Sequence, residues 1–183
     1  MSDQENHMHY VCTLAEAREL INGQESFWLA NCGCRESRGT ICKRSRINVC
    51  LQFLAQNGSG GGDLHPIELG EAEGFVRYAE EKKLVPRPFR DPESHSRVEG
   101  ICFCCDDCCS YFLNPTEEIC DPGAMVECTQ ATLCANCGNC VEPCYFGARK
   151  WENGRLVRRQ ELCYGCGLCV ETCPNDAIEM VKR

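Results

Sequence analysis

The sequence predicts an α+β fold in two parts, a small and mainly helical cysteine-rich domain over residues 11–113 and a second domain over 114–183, after a flexible start at 1–10. Three observations lead there. The last third of the chain contains the run C-x2-C-x2-C-x3-C twice, at Cys134, Cys137, Cys140, Cys144 and at Cys163, Cys166, Cys169, Cys173, each member lying 29 positions after its counterpart. Two stretches before residue 86 repeat apolar residues at helical spacing. Short runs of strand length frame the cysteine repeat.

Taken in order, residues 1–10 are polar and include His7 and His9, a pattern of a frayed terminus. Thr13 and Glu16 form a capping box for a helix over 13–22, with Leu14, Ala17, Leu20 and Ile21 on one face and a stop near Asn22-Gly23. Ser26–Ala30 has strand length and delivers the chain to C-x-C-R at Cys32–Arg35, with Cys42 and Cys50 beyond. Arg38, Lys43, Arg44 and Arg46 lie among these thiols, where cations lower thiol pKa values and offset negative charge; a solvated basic loop is the equal alternative. Residues 58–62 (GSGGG) read as a flexible turn. Pro66 opens a helix through Glu68 to Lys83, with Leu69, Ala72, Val76 and Ala79 facing a core and Pro86 as its stop. The proline- and charge-rich stretch 87–100 reads as a loop.

Then comes CFCCDDCC, Cys102–Cys109. Its five cysteines cannot all hold one metal, because neighbouring side chains diverge in any regular backbone. Cys120 and Cys128 fit no spacing and read as small packing residues. Met125–Cys128 and Ile178–Val181 are the first and last strands of the C-terminal unit, and Asn153-Gly154 between Arg149–Trp151 and Arg155–Val157 signals a two-residue hairpin.

The likeness of the two cysteine runs extends to Gly138 and Gly167, Val141 and Val170, Glu142 and Glu171, and Ala148 and Ala177. A compact turn with cysteines at i, i+3 and i+6 wraps three thiolates around three corners of a cubane, while the fourth cysteine is carried away to the other cluster. The expected sets are Cys134, Cys137, Cys140 and Cys173 for one [4Fe–4S] cluster, and Cys163, Cys166, Cys169 and Cys144 for the second. Over about residues 124–183 the chain resembles the bacterial-type two-cluster ferredoxins, with the pattern's Cys-Pro at Cys173-Pro174 but Cys144-Tyr145 in the first run. Zinc knuckles also use C-x2-C pairs, but a third cysteine at the same spacing is one too many for them.

The arrangement of C-x-C-R, Cys42, Cys50 and CFCCDDCC resembles a group of uncharacterised 4Fe-4S ferredoxin-like proteins. In these an N-terminal cysteine module closed by an NCC-x2-CC-like segment precedes a two-cluster ferredoxin; Phe103 stands here in place of the usual asparagine. The resemblance implies a metallocluster domain. The additional ligand candidates are Cys32, Cys34, Cys42, Cys50, Cys102, Cys104, Cys105 and Cys108, with Cys109 a ninth thiol in the constellation. Their number and softness point to one or more further iron–sulfur clusters, with structural zinc and metal-free thiols as alternatives.

Twenty cysteines in 183 residues would mean a disulfide scaffold in a secreted chain, but the opening residues contain no apolar signal stretch. The expectation is a cytoplasmic protein with thiolates free for metal. No run approaches the roughly 18 apolar residues of a membrane span, so direct membrane insertion is not expected. The net charge of -8 disfavours nucleic acid and favours redox partner proteins with basic docking surfaces. With no dinucleotide-binding glycine pattern, phosphate loop or hydrolytic triad, the expected role is a low-potential one-electron carrier or an electron-conduit subunit of a larger oxidoreductase. Two alternatives are a reductase whose N-terminal cluster binds substrate beside Asp106 or Asp107, and a ferredoxin with a zinc-stabilised interaction domain.

Overall fold

The computed structural model describes residues 7–39, 41–55, 61–114 and 120–183. Within them the chain runs α1 (Leu14–Asn22), β1 (Phe27–Ala30), α2 (Gly33–Arg38), β2 (Cys50–Gln52), β3 (His65–Ile67), α3 (Leu69–Lys82), β4 (Val85–Arg90), β5 (Val98–Cys104) and α4 (Ser110–Leu113). It continues through β6 (Met125–Thr129), β7 (Arg149–Glu152), β8 (Arg155–Arg158), a 3-10 turn at Gln160–Leu162, α5 (Leu168–Glu171) and β9 (Ile178–Lys182). Helix α1 starts on the capping box of Thr13 and Glu16.

The N-terminal part, expected to be mainly helical, has a five-stranded sheet as its framework, in the order β3-β1-β2-β5-β4. Each neighbouring pair is antiparallel. Pro66 lies in edge strand β3 and does not open α3, and Leu69 is exposed; the buried face of α3 is Ala72, Phe75, Val76 and Ala79. Ala17 and Ile21 of α1 join that face against Leu29, Leu51, Ile101 and Phe103 of the sheet, where Phe75 and Phe103 stack. Strand alternation then turns Cys102 and Cys104 away from the helices, because successive side chains of a strand point to opposite faces.

The stretch 87–100 is not one loop, since its two ends extend β4 and begin β5. Prolines 86 and 88 signalled a break, yet their carbonyls on the outer side of β4 accept from the backbone N–H groups of Cys12 and Tyr10, both at 3.2 Å. An edge that only needs acceptors tolerates proline. Residues 8–12 therefore run along this edge and are not frayed, while residues 1–6 fall outside the described part. Gly100 is required where β5 passes under Phe89, because a Cβ there would come within 2.4 Å of that ring. Of the glycine turn at 58–62, residues 58–60 lie outside the described part. Gly61 and Gly62 exchange backbone hydrogen bonds with Asn31.

In the C-terminal part β6 pairs with β9, and β7 with β8 through Asn153 (φ 50) and Gly154 (φ 77), the positive pair that the Asn-Gly signal demands. The 29-residue repeat is present in the backbone itself. Val141 N–H bonds to Gly138 O at 2.9 Å and Cys144 N–H to Val141 O at 3.1 Å; the counterparts are Val170 to Gly167 at 2.9 Å and Cys173 to Val170 at 3.0 Å. Gln130 N–H to Ala177 O and Arg159 N–H to Ala148 O, each 2.8 Å, tie the two halves across one another.

The two parts share one core. Tyr111 and Phe112 of α4 pack against Tyr145, Phe146 and Tyr164, with Phe146 and Tyr164 stacked 4.5 Å apart. The Tyr145 hydroxyl donates to Lys83 O at 2.8 Å, and the Arg44 guanidinium lies 5.1 Å from its ring centroid. Tyrosine in place of proline after Cys144 thus supplies a contact to the N-terminal part that a pyrrolidine ring lacks the reach to make.

Candidate metal centres

Each cysteine run folds as a tight loop because glycines or asparagine take left-handed backbone at matching positions: Asn136 and Gly165, Gly138 and Gly167. Gly165 is the most constrained, since a Cβ there would lie 2.3 Å from Met125 O. The loops leave two cavities. One is lined by Cys134, Cys137, Cys140 and Cys173, with Leu156 and Ile178 as apolar walls. The other is lined by Cys144, Cys163, Cys166 and Cys169, with Phe146 and Ala148. Each holds three thiols of one run and the fourth of the other.

The donor set in both is soft thiol in mostly apolar surroundings, the chemistry that iron–sulfur clusters require. In the second cavity burial pushes the Cys144 and Cys166 thiols upward and Cys169 to about 12, so without bound metal these three are held as neutral thiols. Metal binding must therefore release protons.

Arg149 lines both cavities and is 1 % exposed. Its guanidinium pairs with buried Glu127, donates to Thr129 Oγ1 at 2.6 Å and reaches Cys140 Sγ at 3.4 Å. In the 29-residue repeat its counterpart is Ile178. The repeat thus carried a signal that sequence reasoning passed over: one half has a cation where the other has a hydrocarbon.

The N-terminal thiols fall into separate groups. Cys42, Cys105 and Cys108 lie together, with sulfur–sulfur distances of 3.5, 3.3 and 3.2 Å. Cys34 contacts Cys32 and Cys109, and Cys109 also contacts Cys104. Cys50 and Cys102 face each other across β2 and β5. The C-C-D-D-C-C segment accordingly sends its inner cysteines, Cys105 and Cys108, to one group and its outer pair, Cys104 and Cys109, to the other. Cys109, left out of the expected eight ligands, belongs with Cys32, Cys34 and Cys104.

Of the two readings of Arg38, Lys43, Arg44 and Arg46, partners of the thiols or a basic loop away from them, the contacts favour the second. Arg38 donates to Asp107 O, Arg44 pairs with Asp106, the Lys43 amide bonds Asp107, and Arg46 lies over Phe75 and Tyr78. Exposed basic side chains reach carboxylates and rings before they reach thiols. Arg35 and Arg87, each 3 % exposed, do face the sulfurs. Arg35 Nη2 is 3.5 Å from Cys105 Sγ, and Arg87 Nη1 is 3.2 Å from Cys109 Sγ. Among the described residues neither has a carboxylate partner, and Arg35 Nε, Arg87 Nε and Arg87 Nη2 are without hydrogen-bond partners. A buried guanidinium cannot lose its proton, so the sulfurs must supply the counter-charge.

Residues 133–178 match the family model described as a 4Fe-4S dicluster domain. No curated protein and no solved structure matches the chain. The family match supports a ferredoxin-like C-terminal domain, iron–sulfur clusters and a role in iron–sulfur electron transfer. Among the described residues, no helix is long and apolar enough to cross a membrane.

Proposed function

We propose that the chain is a one-electron carrier, or the electron-conduit subunit of a larger oxidoreductase. One [4Fe–4S] cluster is held by Cys134, Cys137, Cys140 and Cys173 and a second by Cys144, Cys163, Cys166 and Cys169. The observation that carries this reading is that each cavity is lined by one complete crossed set of four thiols. When bound, the clusters supply reversible one-electron storage. The residues around them exclude water with Leu156, Ile178 and Phe146, and place the buried Arg149–Glu127 ion pair beside the sites, with the guanidinium bordering both. Burial and nearby charge are two of the levers by which a protein sets cluster potentials.

The third group, Cys32, Cys34, Cys104 and Cys109 beside Arg87, extends the relay with a further iron–sulfur cofactor. Its support is four soft thiols, no three of them bunched as tightly as Cys42, Cys105 and Cys108, with the buried Arg87 beside Cys104 and Cys109 and without a carboxylate partner among the described residues. Asp106 and Asp107 are engaged by Arg44 and by the Lys43 amide, which weakens the reading of a substrate-reducing site with a free acid. Partners with basic surfaces and a cytoplasmic setting belong to the same proposal, on the net charge of -8 and the free thiols.

Cys144→Ala tests the crossed ligation. It is expected to degrade the cluster of Cys163, Cys166 and Cys169, seen by iron and sulfide counts and electron paramagnetic resonance of the reduced, anaerobically purified protein. Loss confined to the cluster of Cys134, Cys137 and Cys140 would refute the assignment. Cys34→Ser is expected to lower iron content without touching the two ferredoxin signals; an unchanged count removes the third cluster from the proposal.

A further inference from the structure

We infer that Cys42, Cys105 and Cys108 form a site for a single zinc-class divalent ion, bound by three thiolates, with the fourth coordination position left to an exogenous ligand. Among the described residues this is the one group of three or more thiol, imidazole or carboxylate side chains whose donor atoms all lie within 4.8 Å of one another. Its sulfur–sulfur edges are 3.2, 3.3 and 3.5 Å. A tetrahedral zinc ion with bonds of about 2.3 Å sets its sulfurs about 3.8 Å apart, so each edge needs to open by only a few tenths of an ångström.

A cubane makes a different demand. Four irons and four sulfides must fit between the ligand sulfurs, which therefore stand well apart around a cavity. No three of the described ferredoxin thiols have sulfurs that all lie within 4.8 Å of one another, whereas the three N-terminal sulfurs touch. The same fold thus contains both kinds of thiol arrangement, and this one has the dimensions of one ion.

Charge supports the same choice. Three thiolates and a divalent cation carry one net negative charge, and the site has one buried cation, Arg35, with Nη2 3.5 Å from Cys105 Sγ and Nε without a partner. The pair is neutral in the low-dielectric interior, where an unmatched charge is costly. Cys105 and Cys108 come from the i and i+3 positions of the turn after β5, and Cys42 closes the triangle from the loop before β2. Ion binding therefore joins two segments 63 residues apart and stiffens the module. Three protein ligands with an open fourth position is the geometry of zinc centres that exchange a ligand.

The inference stands apart from the iron–sulfur reading, and one set of samples separates them. Zinc, iron and acid-labile sulfide are counted in the full-length chain purified anaerobically, and in Cys42→Ser, Cys105→Ser and Cys102→Ser. Cys42 is half-buried on a loop beside fully exposed Ile41, so Cys42→Ser is expected to keep the fold, checked by circular dichroism. The wild type should hold about one zinc per chain, falling below about a tenth in Cys42→Ser and Cys105→Ser and unchanged in Cys102→Ser. Chain produced with Co2+ in place of zinc should show the intense absorption bands of tetrahedral thiolate cobalt, absent in Cys42→Ser. Iron and sulfide that fall in Cys42→Ser would overturn the inference by placing these thiols in a cluster. So would a wild type without zinc, or a zinc content indifferent to Cys42→Ser.

Discussion

At the scale of single residues, the arginines that matter are the buried ones: Arg35 and Arg87, which face sulfur with no carboxylate partner among the described residues, and Arg149, which pairs with buried Glu127. Arg35, Arg87 and Arg149 are each 3 % exposed or less, while the arginines expected beside the thiols pair at the surface. His9 shows how the same burial acts on a group that can shed its proton. Burial, then the nearby Arg87, lowers its pKa from 6.5 to about 4. The folded chain consequently binds fewer protons than the unfolded chain between those values, so stability is full above about pH 6.5 and declines as pH falls towards 4. The loss is about 3 kcal/mol at most. Denaturant midpoints of the wild type and His9→Gln, measured across that window, should converge as pH falls; parallel curves would show that His9 contributes no pH dependence.

At the scale of elements, the repeat predicted the C-terminal unit, and the departures from the repeat show where its halves differ. Arg149 on β7 takes the position that Ile178 takes on β9 and binds Glu127 on β6. Removing one member of a fully buried ion pair leaves the other without counter-charge, at a cost of about 3–5 kcal/mol. Arg149→Ile should therefore destabilise the fold by that order, and adding Glu127→Val should recover most of it, read from thermal or denaturant midpoints. If the double variant is no more stable than the single, the pair is not the source of the cost. The N-terminal strands were less legible because proline carries two meanings. Pro66, Pro86 and Pro88 signalled a helix start, a stop and a loop. In the sheet they lie on strands whose outer sides need no donor from them.

At the scale of the whole molecule, one side chain, Arg149, borders both cavities, so two clusters bound there are near neighbours. Full reduction should give broadened, split paramagnetic signals, and two simple independent signals would contradict that closeness. The junction of the two parts is aromatic, with Tyr111 and Phe112 against Tyr145, Phe146 and Tyr164. Residues 114–183 produced alone should lose thermal stability through exposure of these rings, measured against the full chain with its metal content matched; equal midpoints would mean the junction adds nothing. The C-terminal unit was legible from the sequence alone because its determinants are local. Cysteine spacing within one turn, a glycine or asparagine at each left-handed position and an Asn-Gly hairpin all act over a few residues, and a repeat displays them twice. The grouping of the N-terminal thiols was decided only by tertiary structure. Cys42 meets Cys105 and Cys108, and Cys34 meets Cys109, across more than sixty residues, through a strand parity and a sheet order that no local pattern encodes.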